Sequence, residues 1–419
     1  MDVTKRALLV CYYFPPLGLG GVGRPLNLFR ELPSFGWDCH VLTVKPVAYR
    51  GYEPELLEGL DKNKIHRAGS YDPQRLLYCL GVRKMSARSI ERGRAVSDRF
   101  FPDNKVGWMR PAVRFGRTLC ENYDYDAIIS TSPPVSSHLV GMQLAREFGI
   151  PWVADYRDFW TVYRIKQAYK TEAFKKRARQ VRDDICAGAS AITAVSKAIA
   201  DYHKTSHVLP NGYNAQLAEG WKAPPNNERF TIGILGHQYD KHEPTLLLDA
   251  LDELLRHDEH LNDKVQVIQV GDVDETWFRG MFERRGLNIP VTCYGRRERG
   301  ETIKLLAQAH LFYLDVAEYD REGFLPSRIF DLLASGRPIF ANADADGELG
   351  LLLKEYGNGR CFTAKDVAGA GEYVKSLIES CRSDNFVFSP LSDFARRYSS
   401  TALAERFASL LNQLPERKR

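Results

Sequence analysis

The chain has 419 residues and a mass of 47.6 kDa, a length that suits two domains better than one or three at roughly 100–200 residues each. Apolar residues make up 44% and charged residues 26%, the balance of a globular protein with a sizeable core, which excludes wholesale disorder. The net charge of +5 hides an asymmetry: residues 1–215 carry 32 Lys and Arg against 21 Asp and Glu, the remainder 26 against 32.

No run approaches the ~18 apolar residues that span a bilayer, and the N-terminus lacks the pattern of a signal peptide. The eight cysteines are scattered, with no CxxC pair, so a disulfide framework or zinc ribbon is not expected. These points place the protein in the cytoplasm with reduced thiols. The basic excess is densest in 75–117, where eleven Lys and Arg face three acids. Such a segment meets something anionic or forms a solvated helix surface. The basic stretch 163–182 leaves the same two readings open.

In chain order, RALLVCYY reads as a strand, followed by a Gly-rich loop and a helix with Leu26, Phe29 and Leu32 on one face. DCHVLTV and YDAIISTS are further strands, and a helix is expected from about Ser136 to Phe148. IPWVADY, ASAITAVS and SHVLPNGY complete the first series. The polar segment 215–228 reads as a linker. The alternation then restarts with FTIGILG, VQVIQVG, VTCYG, HLFYLDV and RPIFAN, and a final helical stretch ends the chain. Strands separated by helices imply parallel sheets covered on both faces, with ligands outside the carboxyl ends of the strands. The expected architecture is α/β, with two Rossmann-like parallel-sheet domains. The boundaries are 1–215, a linker 216–228, a second domain 229–388, and a C-terminal helix 389–419.

Three constellations carry chemistry. Gly18-Leu19-Gly20-Gly21-Val22-Gly23 is a G-x-G-x-x-G between a strand and a helix, suited to cradling a pyrophosphate with backbone N–H groups. It makes a poor dinucleotide site, because the second strand ends in Thr43-Val44-Lys45, with no acid for a ribose. Next, Pro326-Ser327 opens a helix in which Ile329, Leu332 and Leu333 form a buried face. Its amides, with Arg328, would attract a phosphate, and Asp331 could accept hydrogen bonds from sugar hydroxyls. Finally, Asp155, Arg157 and Asp158 follow a strand, where they either contact an acceptor or pair with each other. Asp272-Val273-Asp274 and Asp344-Ala345-Asp346 are D-x-D spacings that can hold a metal but occur often by chance, and the group His237, Asp240, His242 and Glu243 has metal-ligand chemistry without the spacing of a familiar site.

The stretch Glu322–Pro338 resembles the motif of GT-B glycosyltransferases, in particular the family 4-like retaining group. YYFPPLGLGGVGRP, TSPPVSSHLVG, IPWVADYRDFW, AITAVSKAI and LPNGY are similar to the same group, so the resemblance covers nearly the whole chain. It implies a GT-B fold whose two domains face a central cleft, with the last helix crossing back to the N-terminal domain. The implied activity is transfer of a hexose-type sugar from a nucleoside diphosphate to an acceptor hydroxyl, with no cofactor and no metal.

Carried over by position, the resemblance puts Gly20, Gly21, His237, Lys241, Ser327 and Arg328 at the donor diphosphate and Asp331 at the ribose. His138 and Glu322 would position the sugar, and Asp155 and Arg157 lie on the acceptor side. His237 stands where relatives have Arg. Glu322 falls one residue before the family's first acid, and Asp331 is one methylene shorter than the usual Glu. The implied partners are a nucleotide sugar and a glycan or lipid-linked acceptor, with peripheral contact to an anionic membrane through 75–117 and no nucleic acid. A nucleotide-sugar epimerase and a non-catalytic relative are the alternatives.

Overall fold

The structure is a computed structural model that describes residues 5–18, 21–47, 51–72, 75, 78–80, 100–160, 172–224, 229–236, 243–257, 259–316, 325–383 and 388–417. The chain divides into two compact units, residues 1–210 with 400–419, and residues 211–399. No helix among the described residues is long and apolar enough to cross a membrane.

The first unit is built on seven parallel strands: β1 (Lys5–Val10), β2 (Trp37–Val44), β3 (Ile65–Ala68), β4 (Ala127–Ser132), β5 (Trp152–Tyr156), β6 (Ala191–Ala194) and β7 (His207–Val208). Their order is β3-β2-β1-β4-β5-β6-β7. Alternation sends neighbouring residues of one strand to opposite faces. Leu8 and Val10 pack with Leu42, Val44, Ile128 and Ala154, whereas Ala7 and Leu9 pack with Val41, Ile129 and Val153. Helices cover both faces, which is why the strands are apolar throughout. The helices described here are α1 (Gly23–Glu31), α2 (Val106–Asn122), α3 (Ser136–Phe148), α4 (Glu172–Gly188) and α5 (Lys197–His203). The start and end of α3 are those the sequence indicates.

The second unit repeats the plan with six parallel strands: β8 (Phe230–Leu235), β9 (Val265–Val270), β10 (Val291–Cys293), β11 (Leu311–Asp315), β12 (Ile339–Asn342) and β13 (Gly359–Phe362), in the order β10-β9-β8-β11-β12-β13. Its helices include α6 (Thr245–His257), α7 (Glu275–Arg284), α8 (Arg299–Leu306), α9 (Arg328–Ala334), α10 (Glu348–Tyr356) and α11 (Val367–Arg382). Each sheet reverses its strand order once, at β1/β4 and at β8/β11, and these are the switch points where open α/β sheets place ligands.

The division falls at 210/211 and 399/400, not at the 216–228 linker and residue 389 indicated by composition. Two anchors explain the difference. Trp221 is buried against Phe312, with ring centroids 5.8 Å apart, so the polar segment belongs to the second unit's core. Tyr213 donates its N–H to the Tyr398 carbonyl at 3.1 Å, which closes that unit with both of its chain ends together. The last helix, α12 (Ser400–Asn412), belongs to the first unit. Phe407, Ala408, Leu410 and Leu411 pack there with Leu26, Phe29 and Trp37, and Ser400 and Thr401 donate to the Glu31 carboxylate, each at 3.0 Å.

All eight cysteines are free thiols. Burial pushes the Cys11 and Cys120 thiols up to about 12, which keeps them protonated and unreactive. Part of the basic excess is paired within the chain. Arg75 is buried and donates to Tyr12 Oη at 3.0 Å, and Arg117 pairs with Glu147 at 2.8 Å. In α4, Lys175 and Arg179 lie within 4.0 Å of Glu172.

Arg337 fastens the second unit together. It has no exposed surface and donates to the carbonyls of Ala309 (2.6 Å), Lys222 (2.6 Å) and Ala307 (2.7 Å). Trp221 and Phe388 lie against its guanidinium, with centroids 5.2 and 4.9 Å away. Burial lowers its pKa to about 10, so it stays charged at neutral pH. Arg337→Lys supplies one compact head group in place of a fork and strands several buried carbonyls. The expected cost is about 3–4 kcal/mol, read as a fall in the urea midpoint of the transition that exposes Trp221.

Candidate functional site

The carboxyl ends of β8, β9 and β10 each run into a glycine with positive φ: Gly236 (111°), Gly271 (144°) and Gly295 (65°). The hydrogen-bond ladder continues through them, Gly236 N–H to the Val270 carbonyl and Gly271 N–H to the Gly295 carbonyl, both at 2.9 Å. Two of these positions admit no side chain. A Cβ on Gly271 would lie 2.3 Å from the Gly236 carbonyl oxygen, and one on Gly236 would lie 2.9 Å from Arg328 Nη1. The bare backbone at these strand ends is therefore what lets the Arg328 guanidinium lie flat against β8.

Arg328 is the first residue of α9. Its Nη2 donates to the Asp315 carbonyl at the end of β11, at 3.2 Å. The side chain thus spans β8 and β11, the switch point of this sheet, and sets a cation on the rim where ligands of such sheets bind. Tyr313 Oη and Asn342 Nδ2 donate to the Asp315 carboxylate at 2.8 and 3.0 Å. Gln269 Nε2 holds the Gly236 carbonyl at 2.9 Å, and its buried Oε1 has no partner among the described residues.

Two expectations for this helix are corrected. Ser327 occupies the N-cap position but has helical backbone and makes no side-chain capping bond. The first amides do not point outward unpaired. Ile329 N–H bonds to Pro326 at 3.0 Å and Phe330 N–H to Ser327 at 3.3 Å, because the entry is already wound as a tight turn. The positive charge at the switch point is thus the Arg328 side chain, not a free helix tip.

Asp331 lies one turn into α9 and is half-buried. Burial pushes its carboxyl up to about 6, with the charge of Arg299 pulling the other way. Gly20, His237, Lys241 and Glu322 lie outside the described residues.

In the first unit, Asp155 has no exposed surface. Arg24 grips it bidentately at 2.7 and 2.8 Å, and Thr193 and Thr131 donate to it at 2.7 and 2.8 Å. With its oxygens fully engaged, Asp155 has nothing left for an acceptor, and its partner is Arg24, not Arg157. Arg157 instead donates to backbone carbonyls. Nε bonds Ser132 at 2.8 Å, Nη2 bonds Pro133 at 3.0 Å, and Nη1 bonds Gly21. Gly21 is therefore fastened to the end of β4.

His138 is also fully buried, beneath the rim. Trp152 Nε1 donates to Ser130 Oγ at 2.8 Å, and that oxygen is hydrogen-bonded to His138 Nδ1 at 2.7 Å. Among the described residues His138 Nε2 has no hydrogen-bond partner, nor do the buried Tyr156 Oη and His203 Nε2, the rings of these last two stacking at 3.7 Å. Burial lowers the pKa of both histidines to about 3, so both are neutral. His138 carries no charge.

Sequence reasoning missed Gln269, Asp315, Asn342 and Arg24. The glycines at the strand ends were the available signal for the first of these. Among the described residues no group of three or more His, Cys, Asp or Glu is placed to hold a metal. Asp274 caps α7 through Trp277 N–H at 3.1 Å, and Glu243 lies 3.4 Å from Arg284.

The raised Asp331 pKa has a signed consequence. The unfolded carboxyl titrates near ~3.9, the folded one at about 6. Between those values the folded state holds the extra proton, so this residue's contribution to stability falls as pH rises from about 4 through about 6. Asp331→Asn is expected to remove that fall. Its melting temperature should gain on the parent at pH 7.5 relative to pH 4.5, as thermal melts at the two pH values will show.

Residues 20–213 match the family model of the glycosyl transferase 4-like domain. Among solved structures, a sucrose-phosphate synthase from Thermosynechococcus elongatus is similar with a TM-score of 0.64 at 15% identity, covering 98% of each chain. An alpha,alpha-trehalose-phosphate synthase from Burkholderia xenovorans, in complex with glucose-6-phosphate, has a TM-score of 0.61 at 13% identity, covering 97% of this chain and 100% of its own. A UDP-N-acetylglucosamine 2-epimerase from Listeria monocytogenes, described as putative, has a TM-score of 0.57 at 10% identity, covering 97% and 96%. No curated protein matches the sequence. At these identities the structural likeness is one of fold. The chain has the GT-B fold, and its residues 20–213 match the model of the glycosyl transferase 4-like domain.

Proposed function

We propose that the protein is a retaining glycosyltransferase that moves a hexose-type sugar from a nucleoside diphosphate to an acceptor hydroxyl of a glycan or lipid-linked saccharide. The observation that carries this reading is Arg328, laid across the switch point of the second sheet against a rim of glycine backbone. The departing diphosphate needs fixed positive charge. Arg328 supplies it, joined by Lys241 from the loop after Gly236, so the reaction needs no metal. Asp331 accepts the ribose hydroxyls, and Glu322 and His138 position the sugar, His138 as a neutral imidazole. The retaining course follows from the resemblance of 326–338, with attack on the face that the leaving phosphate vacates and that phosphate helping to take the acceptor proton.

A thermal-shift panel of UDP, GDP, ADP and dTDP tests the donor half. One of them, at about a hundred times its Kd, is expected to raise the melting temperature by about 5–10 °C. Arg328→Ala and Lys241→Ala should abolish the rise. Donor consumption only when an acceptor is present identifies a transferase. The epimerase-like fold favours a second reading, in which the nucleotide sugar is converted without acceptor, and product analysis separates the two. Binding without turnover of any donor points to a non-catalytic protein.

Acceptor access from an anionic membrane surface belongs to the same reading, through the basic segment 75–117. Arg92→Glu with Arg94→Glu is expected to weaken co-sedimentation with phosphatidylglycerol vesicles, and unchanged co-sedimentation removes the membrane from the account. Both residues lie outside the described ones. Arg110 and Arg114, one turn apart on α2, are exposed.

A further inference from the structure

We infer that Gln269 and Asn342 are positioning residues for Arg328: each holds one of the two strand ends that seat its guanidinium, and both act on the donor diphosphate only through that cation. The inference rests on the donor half of the reading above and concerns the second unit alone. Residues two apart on a strand share a face of the sheet. On one face β9 carries Val265 and Val267, β11 carries Leu311, and β12 carries Phe340, all packed in one apolar core. Toward the ligand-binding edge the same face turns polar. Gln269 follows on β9, Tyr313 and Asp315 on β11, and Asn342 on β12.

This polar belt is spent on the two supports of Arg328. Asp315 and Asn342 are register partners across β11 and β12. Asn342 Nδ2 and the Tyr313 hydroxyl donate to different oxygens of the Asp315 carboxylate, at 3.0 and 2.8 Å. The Asp315 side chain is thereby held, and its carbonyl takes Arg328 Nη2 at 3.2 Å. On the other side, Gln269 Nε2 takes the Gly236 carbonyl at 2.9 Å. That carbonyl lies against Gly271, where a Cβ would collide with it, and the bare α-carbon of Gly236 is left facing Arg328 Nη1. Gln269 has no exposed surface, and its Oε1 has no partner among the described residues. A buried amide satisfied on one side only costs stability. Gln269 therefore does not serve to strengthen the sheet; what it does is fix the Gly236 peptide.

The test compares the full-length protein with Gln269→Met and Asn342→Leu, each also made in an Arg328→Lys background, where the charge is kept but the fork is lost. All are titrated calorimetrically with the diphosphate that stabilises the parent, alone and in competition with the matching nucleoside, and all are melted. Each single variant is expected to lose about 3- to 10-fold in diphosphate affinity, the worth of one hydrogen bond, with nucleoside affinity unchanged. Gln269→Met should melt no lower than the parent, because a half-satisfied buried amide is removed. In the Arg328→Lys background neither change should cost more than about twofold further. Unchanged diphosphate affinity in either variant overturns the inference for that residue and leaves the donor reading intact. The full loss repeated in the Arg328→Lys background overturns it as well, since the residue then acts otherwise than through Arg328. So does a parallel loss for nucleoside and diphosphate with a lowered melting temperature, the signature of a purely structural role. If the parent itself binds none of the diphosphates, the donor reading fails first and this inference falls with it.

Discussion

The structure turns on arginines bonded to backbone carbonyls at the places where the parallel sheets reverse. A parallel sheet ends with a row of outward carbonyl oxygens at its carboxyl edge, and reversal opens a crevice between two of its strands. Arginine alone offers five donors in a rigid fork while remaining charged. Arg328 uses that fork at β8/β11 and Arg157 at β1/β4. Arg328 bonds the end of β11 while lying beside Gly236, Arg157 ties the end of β4 to Gly21, and each leaves a cation on the ligand-binding rim. The strand-end glycines follow from this constraint. With a side chain at Gly236, Arg328 could not lie where it does.

Charge and neutrality are separated within each unit. In the first, Asp155 is balanced by Arg24 deep in the core, while His138, His203 and Tyr156 are held neutral by burial. In the second, Arg337 is buried among carbonyls and aromatic faces. The buried arginine of the core and the rim arginine Arg328 stand nine residues apart in sequence, at the two ends of α9 and its exit turn. One short segment therefore both locks the unit's interior and presents its candidate ligand-binding charge.

Most of the fold was legible because parallel strands covered on both faces read as apolar runs, and each such run named in the sequence is a strand. Strands β3 and β13 were not legible. They are short, they sit at the sheet edges, and they carry His66, Arg67 and Arg360, so they lack the apolar signature. The 216–228 segment misled because its polarity hid Trp221, whose single ring decides which unit it joins. At the site, Arg328 was legible from its place beside a helix start, but the winding of that start was not, since it depends on the backbone of Pro326 and Ser327. The partner of Asp155 is 131 residues away in Arg24, a pairing that only the assembled sheet reveals. Spacing alone made Asp155 and Arg157 look like partners.

In the proposed reaction a nucleoside diphosphate binds at the β8/β11 switch point against Arg328. Hydrogen exchange of the backbone amides, followed by mass spectrometry with and without UDP, GDP or ADP, reads this directly. The account predicts that the ligand slows exchange in peptides containing Gly236, Gly271 and residues 326–331. Binding that protects only peptides distant from these strand ends, or no protection by any of the three, would contradict it.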